Sequence, residues 1–500
     1  MKRVVVIGGG ISGLAAAHRL LERSHQSGKQ VDLTVLEAGS GVGGIVQTRD
    51  RDGFLLEDGP DSFISEKPAA LALVKRLGLE SHLIETNEQN RRSFIVRNGR
   101  LLPVPEGFQL LAPSRLWPFV KSDIFSWSGK ARIALDLLLP RRALNGGDAD
   151  ESLAQFVRRR LGTEALERMA QPMVGGIYTA DPEQLSLQAT MPRFLEMERE
   201  YRSLICALRR ANSPTEKKKP DAGGARYSLF LSFDRGMQVL TDTLEQRISN
   251  FRSQISDNSG GAKKAFIQLN TKVESITLER LPSPSRPGVT DGEPSPAWKL
   301  TTSNNETLFA EAICLALPAY VSSNLLSNLD PKLAAELAEI SYASSATINL
   351  GFKREDIPHP LDGFGFVVPF IEKRSLIACT FSSVKFAGRA PDGHTLLRAF
   401  VGGALQPELM GLSRDELLTH VLKDLRDSLG IERRPLFAEV AKWERSMPQY
   451  HVGHLERVKR IEERLVALPG LFLAGNAYTG LGIPDCIRSG EAAADGINEY

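Results

Sequence analysis

The stretch VVVIGGGISGLAAAHRLLER, Val4 to Arg23, decides the fold. Residues Arg3 to Ile7 are short, β-branched and bounded by glycine, and read as a buried parallel strand. Gly8, Gly10 and Gly13, with Gly9 between the first two, match G-x-G-x-x-G. The first glycine of that pattern permits a tight turn, the second lets a diphosphate approach the main chain, and the third lets the following helix pack closely on the sheet. Ala15, Ala16 and Ala17 extend that close-packing face. The helix start at Ile11 and Ser12 offers unpaired N–H groups and a partial positive charge to a phosphate.

The context strengthens the motif. A second strand, Val31 to Glu37, ends in an acid 24 residues after Gly13. A carboxylate there, beside Ala38, accepts both hydroxyls of a ribose. Within EAGSGVGGIVQT, Glu37 to Thr48, a glycine pair follows the acid by six residues, at Gly43 and Gly44. This resembles the ExxxxxGG extension of the flavin family that includes monoamine oxidase, phytoene desaturase and protoporphyrinogen oxidase. The resemblance implies FAD, with the second glycine loop running beside its diphosphate and ribityl chain. The family usually carries basic residues around the pair; Gly41 and Ile45 stand there instead.

The far end repeats the pattern of strand, turn and small-residue helix in GLFLAGNAYTGLGIPDCIRSGEAAADGI, Gly470 to Ile497. Relatives place Gly-Asp after this strand; Gly475-Asn476 stands here, able to hydrogen-bond but uncharged. Ile483-Pro484-Asp485 are expected just before the last helix, where main-chain N–H groups reach toward the flavin ring. If both ends hold one cofactor, the nucleotide domain is discontinuous. The fold class that follows is α/β: a discontinuous Rossmann-like FAD-binding domain of the monoamine oxidase/phytoene desaturase type, a mixed-sheet substrate domain and a helical lobe. The expected boundaries are FAD-binding at 1–88, 230–320 and 436–500, a hairpin and helical lobe at 89–229, and a substrate-binding sheet at 321–435.

Length and composition agree. The 500 residues suggest two or three domains. With 62 basic and 60 acidic residues the charge balance points to no nucleic-acid partner. No two of Cys206, Cys314, Cys379 and Cys486 stand at CxxC spacing, so they read as reduced thiols suited to a cytoplasmic compartment. No apolar run is long enough to span a membrane. Helical spacing runs from about Pro68 to Leu79 and through much of 114–230; Asn98-Gly99 marks a hairpin turn. Ser213 to Arg226 reads as a loop, and 250–264 and 281–297 as exposed insertions in a β-rich section. ICLALP, Ile313 to Pro318, reads as another nucleotide-domain strand, and 340–410 as a mixed sheet.

Five segments narrow the family: GPDSF (Gly59–Phe63), GGIYTADPEQLS (Gly175–Ser186), ACTFSSVKFAGRAP (Ala378–Pro391), SMPQYHVGH (Ser446–His454) and GLGIPDCIRSG (Gly480–Gly490). All resemble the oxygen-dependent porphyrinogen oxidases of haem biosynthesis, in the family's order along nearly the whole chain. The resemblance implies six-electron oxidation of coproporphyrinogen III or protoporphyrinogen IX in three flavin cycles, with oxygen reduced to hydrogen peroxide. It implies FAD contacts at Gly59, Pro60, Asp61, Ser62, Val273 and Trp443, the last otherwise a core or interface residue. Leu361, Ile377 and Phe400 match positions that sandwich the macrocycle in relatives, or are ordinary sheet core. Arg92 is a candidate propionate partner, or simply exposed. Ser93 replaces the arginine of mitochondrial relatives, which tilts the reading toward coproporphyrinogen III.

No catalytic acid–base residue is required, because a meso carbon gives hydride to the flavin and the pyrroles stabilise the cation. No metal is expected, since His451 and His454 lack a third ligand. Leu116 to Trp127 mixes aromatics with Lys121, as either an interfacial membrane segment or a buried helical lobe. A homodimer is the family's expectation. Two rivals stand beside this reading: an FAD amine oxidase, and a non-catalytic flavin-binding scaffold.

Overall fold

The computed structural model describes residues 1–142, 150–211, 229–255, 267–281 and 295–500. The Ser213–Arg226 loop and most of the two expected insertions lie outside them. A helix, Gln238–Ile255, runs into the first insertion, and a strand, Ser295–Thr302, emerges from the second.

One five-stranded parallel sheet carries the opening motif. Its order is Ile267–Gln268, Val31–Leu36, Lys2–Ile7, Ala312–Leu315 and Leu471–Leu473. Val5 pairs with Thr34 and Ile313, and Ile313 pairs with Leu471. The two ends of the chain therefore share one sheet. The first strand is buried on both faces: Val4 and Val6 pack under the helices Ile11–Ser27, Gln238–Ile255 and Ile483–Glu499, while Val5 and Ile7 face a layer containing Ile276, Trp298 and Leu300. Burying a side chain of this size is worth roughly 1.5–3 kcal/mol, which is why an unbroken apolar run suits a strand covered on both sides.

A mixed seven-stranded sheet forms the second layer system. Its order is Phe437–Pro448, Tyr342–Lys353, His394–Gly402, Leu376–Phe381, Gly365–Val367, Phe94–Arg97 and Arg100–Pro103. Helix Arg414–Leu429 covers one face through Leu417, Val421, Leu425 and Leu429. The Asn98-Gly99 turn has both residues at positive φ, 49° and 73°, as a two-residue hairpin requires. The chain mixes its layers more than the sequence suggests. Hairpin 94–103 joins the sheet rather than standing with the helical lobe, because Phe94 pairs with Phe366. Strand 437–448 forms the opposite edge, and the short helices Ala319–Leu326 and Pro331–Ala338 pack against the parallel sheet instead.

The helical lobe is built from Leu116–Lys121, Trp127–Ala134, Leu153–Arg160, Gln171–Tyr178, Pro192–Tyr201 and Leu204–Ala211, around Phe156, Met169 and Phe194. A buried ion pair between Arg160 and Asp136, with Ser203 donating to the carboxylate at 2.6 Å, locks these helices together.

Close approach of the first and last helices depends on glycine. A Cβ at Gly490 would lie 2.1 Å from the Ser12 carbonyl oxygen, whereas one at Gly411 would meet nothing within 4 Å. Gly490→Ala is expected to lower unfolding stability by about 1–3 kcal/mol, and Gly411→Ala to leave it within about 0.5 kcal/mol. Urea titrations of the two variants check both.

Candidate active site

The two N-terminal glycine turns lie side by side at the carboxyl end of the parallel sheet. Gly8 has φ of 110°, and a Cβ there would lie 2.4 Å from the Ala316 carbonyl oxygen. The Gly43 N–H donates to the Gly9 carbonyl at 2.8 Å, and Gly10 and Gly43 form a parallel bridge. A Cβ on Gly44 would come within 3.5 Å of Gly10, while one on Gly10 would meet nothing within 4 Å. That is a cradle of bare main chain, open where a diphosphate approaches. Ile11 and Ser12 form the first helical turn above it.

Glu37 is held at the end of its strand. The N–H groups of Gly9 and Gly39 donate to its two carboxylate oxygens, each at 2.6 Å. Each oxygen keeps a lone pair for a ribose hydroxyl. Ala38 is exposed beside it. The Thr271 N–H donates to the Glu37 carbonyl at 2.8 Å, which draws the start of strand Val273–Leu281 to the same corner.

The C-terminal turn closes the cradle from the other side. Gly475, at φ of 132°, donates its N–H to Ser489 Oγ at 3.0 Å, and the Asn476 carbonyl accepts from the Tyr450 hydroxyl at 2.6 Å. Ile483, Pro484 and Asp485 do not precede the last helix; they are its first turn. Proline suits that place, because its missing N–H has no helical partner to lose. The Asp485 side chain is engaged by Lys67 at 2.5 Å and Arg488 at 3.2 Å.

The GPDSF segment sits between this cradle and the seven-stranded sheet. Gly59 admits no side chain: a Cβ would lie 1.6 Å from the Ile45 carbonyl oxygen. Asp61 pairs with Lys385 at 2.9 Å and with Arg398 at 3.8 Å, and accepts from Ser62 at 2.7 Å. Burial works against the Asp61 charge, but these two cations outweigh it and hold the carboxyl well below the usual carboxylate range. Glu57 goes the other way. Burial pushes its carboxyl up to about 7, although Thr48 and the Met237 N–H both donate to it at 2.8 Å.

The candidate substrate residues separate into two groups. Thr347, Phe400 and Ala378 are cross-strand neighbours on the sheet face turned toward the helical lobe and the Gly59 loop. Ile377 is the extra residue of a bulge in its strand, and its side chain lies near Gly175 and Gly403. Leu361 is not brought to that face. It is 2% exposed, has φ of 54°, and packs in the opposite cluster with Phe366 and Phe381. Arg92 pairs with Asp362 at 2.9 Å, beside Leu361 rather than Phe400. His454 is buried, stacked on Tyr450 at 4.0 Å, and held down to about 4 by burial, with Nε2 2.9 Å from the Tyr478 carbonyl.

Residues 11–498 match the model of the flavin containing amine oxidoreductase family. The chain is 34% identical to the coproporphyrinogen III oxidase of Bacillus subtilis (strain 168), over 100% of this chain and 98% of that one. The chain belongs to the porphyrinogen oxidases within that flavin family. It is also 29% identical to the mitochondrial protoporphyrinogen oxidase of Nicotiana tabacum, over 100% and 95% of the two chains. A solved protein from Exiguobacterium sp. 255-15, provisionally named a protoporphyrinogen oxidase, superposes with a TM-score of 0.82 at 31% identity, over 100% and 99%. The cofactor of this porphyrinogen oxidase is FAD, and the glycine cradle and the twice-bound Glu37 carboxylate suit its diphosphate and ribose.

Sequence reasoning missed the polar residues that hold the stretch from Glu57 to Asp61, namely Asn349, Arg398 and Lys385, and with them Glu57, Arg389 and Tyr450. The signal was present. Asn349 interrupts INLGF and Arg398 interrupts LLRAF, each a polar residue at an alternating position of a buried strand. Because the Glu57 carboxyl is raised in the folded state, the folded protein binds a proton there that the unfolded chain has released. Stability should therefore fall as pH rises from about 4.5 to about 7. Glu57→Gln is expected to remove that part of the slope, read as the difference in Tm against pH between the two proteins.

Proposed function

We propose that this protein oxidises coproporphyrinogen III to coproporphyrin III, with FAD bound across the two ends of the chain and oxygen as the oxidant. The observation that carries this reading is end-to-end similarity to a coproporphyrinogen III oxidase at 34% identity, above the 29% to a protoporphyrinogen oxidase. Ser93, at the position of an arginine in mitochondrial relatives, supports the same choice.

Bound FAD supplies a hydride acceptor. Over three cycles the substrate gives up six electrons and six protons' worth of hydrogen, which leave with three molecules of oxygen as three of hydrogen peroxide. The chain's own work is to bind, orient and keep water out, since the pyrroles flanking each meso carbon already stabilise the developing cation. Gly8 to Gly13, Glu37, Ala38, Gly43, Gly44, Val273, Gly475 and Asn476 hold the nucleotide in this reading. Gly59 to Ser62, Trp443 and the turn at Ile483 to Asp485 line the flavin end. Ile377 and Phe400 form the apolar wall against the macrocycle, with Leu361 backing the sheet from its core side. Arg92 would serve a propionate beside, or in exchange for, its Asp362 partner.

A peripheral membrane contact belongs to the same reading. Within Leu116 to Trp127, Phe119, Ile124 and Phe125 are buried, as a helical lobe requires, but Trp117 is 67% and Trp127 73% exposed. Lys121 sits over the Trp117 indole at 4.9 Å, an amphipathic pairing suited to a headgroup layer, whereas Lys130, 4.3 Å from the Trp127 ring centre, is buried and donates to the Val120 carbonyl. No helix among the described residues is long and apolar enough to cross a membrane.

The test is turnover of each porphyrinogen by FAD-loaded protein, followed by porphyrin fluorescence and oxygen uptake. A kcat/KM at least about tenfold higher for coproporphyrinogen III is expected, a difference of about 1.4 kcal/mol in transition-state binding. Equal turnover would overturn the substrate choice. Peroxide from polyamines without porphyrinogen turnover would make the protein an amine oxidase, and bound FAD reduced by neither would make it a scaffold.

A further inference from the structure

Three consecutive main-chain carbonyls leading into the GPDSF segment are each held by a side chain from the seven-stranded sheet. Asn349 Nδ2 donates to the Glu57 carbonyl at 3.1 Å, Trp443 Nε1 to the Asp58 carbonyl at 2.8 Å, and the Arg398 guanidinium to the Gly59 carbonyl. The three donors come from three adjacent strands: Tyr342–Lys353, Phe437–Pro448 and His394–Gly402. Asn349 lies directly across from Arg398. Arg398 and Asn349 are almost fully buried. The Arg398 guanidinium also lies 4.7 Å from the centre of the Phe400 ring, and its Nε has no protein partner.

This is more than an interface needs to exclude water. Burying a guanidinium is costly unless it is paired and hydrogen-bonded, and here burial works against the Arg398 charge while Asp61 supports it. Arg398 touches both the loop and the aromatic wall, so the two cannot shift independently. Asn349 also reaches Asp58 Oδ1 at 3.3 Å, and Arg49 holds that carboxylate from outside at 2.6 Å. The loop is thus fixed along its length by donors rooted in the sheet.

We propose that Asn349, Trp443 and Arg398 form a three-point clamp that sets the separation between the substrate-bearing face of the sheet and the flavin-bearing loop. Asn349 and Arg398 are positioning residues that act through main-chain carbonyls, and Trp443 holds its carbonyl while also lining the flavin end. The proposal rests on the porphyrinogen oxidase reading for what occupies the two sides. Hydride transfer is steep in donor–acceptor distance, and a misplacement near 1 Å costs on the order of a hundredfold.

The test uses Trp443→Phe, which keeps an aromatic ring and deletes one donor, together with Arg398→Met and Arg398→Lys. In the FAD-free protein, amide hydrogen exchange across residues 58–63 is expected to quicken about tenfold in Trp443→Phe and Arg398→Met, less in Arg398→Lys, with strand Lys2–Ile7 unchanged. In FAD-loaded Arg398→Met, single-turnover flavin reduction by coproporphyrinogen III should slow about tenfold or more, with substrate affinity and flavin reoxidation by oxygen within about twofold. Arg398→Lys should recover part of that rate. Reduction as fast as in the unaltered protein would overturn the clamp, as would exchange that quickens equally in the parallel sheet. If the unaltered protein bound FAD and no porphyrinogen reduced it, the functional reading would fail instead, and the exchange result alone would decide the clamp.

Discussion

The pairing of strand Ala312–Leu315 with Lys2–Ile7 on one side and Leu471–Leu473 on the other is the constraint on which the rest depends. Parallel strands end together, so this one pairing brings two turns separated by more than 450 residues to the same edge of one sheet. A ligand in such a sheet lies beyond the carboxyl ends of the strands. The Gly8–Gly13 turn and the Gly475–Asn476 turn therefore face one another with no special contact between them. The helices that follow each turn must then touch, and the bare surfaces of Gly490 and Ala15 to Ala17 let them.

Around that frame the molecule divides its labour by chemistry. The proposed nucleotide side is built from main chain: glycines that clear space, and a carboxylate held by two N–H groups. The proposed substrate side is a sheet whose buried face packs on a helix, while its other face mixes Phe400 with Asn349, Arg398 and Trp443. Between them lies a small charged cluster in which Lys385 and Arg398 hold the Asp61 carboxyl low and burial pushes the Glu57 carboxyl up to about 7. Charges placed this deep are stable only when partnered, so the cluster holds its loop in one arrangement.

Similarity to porphyrinogen oxidases spans the whole chain, and the site fits their chemistry because it asks little of acid–base groups. The described residues supply walls, cations and hydrogen-bond donors around a glycine cradle. Burial pushes the thiol of Cys486, in the first turn of the last helix, up to about 12, which leaves it a poor nucleophile.

The sequence by itself determined the parallel sheet, the glycine cradle, Glu37 and the union of the two ends. These are local patterns, in which a strand, a turn of fixed chirality and a helix occupy contiguous residues. Only the tertiary structure decided which side of the large sheet each residue faces. Leu361 and Phe400 both read as sheet residues, yet Leu361 packs in the core and Phe400 looks the other way, because a bulge, a positive φ or a change of register reverses the facing without altering composition. The same holds for the join between loop and sheet. Asn349, Arg398 and Trp443 lie about 290, 340 and 385 residues from the carbonyls they hold, and chain folding alone brings such partners together.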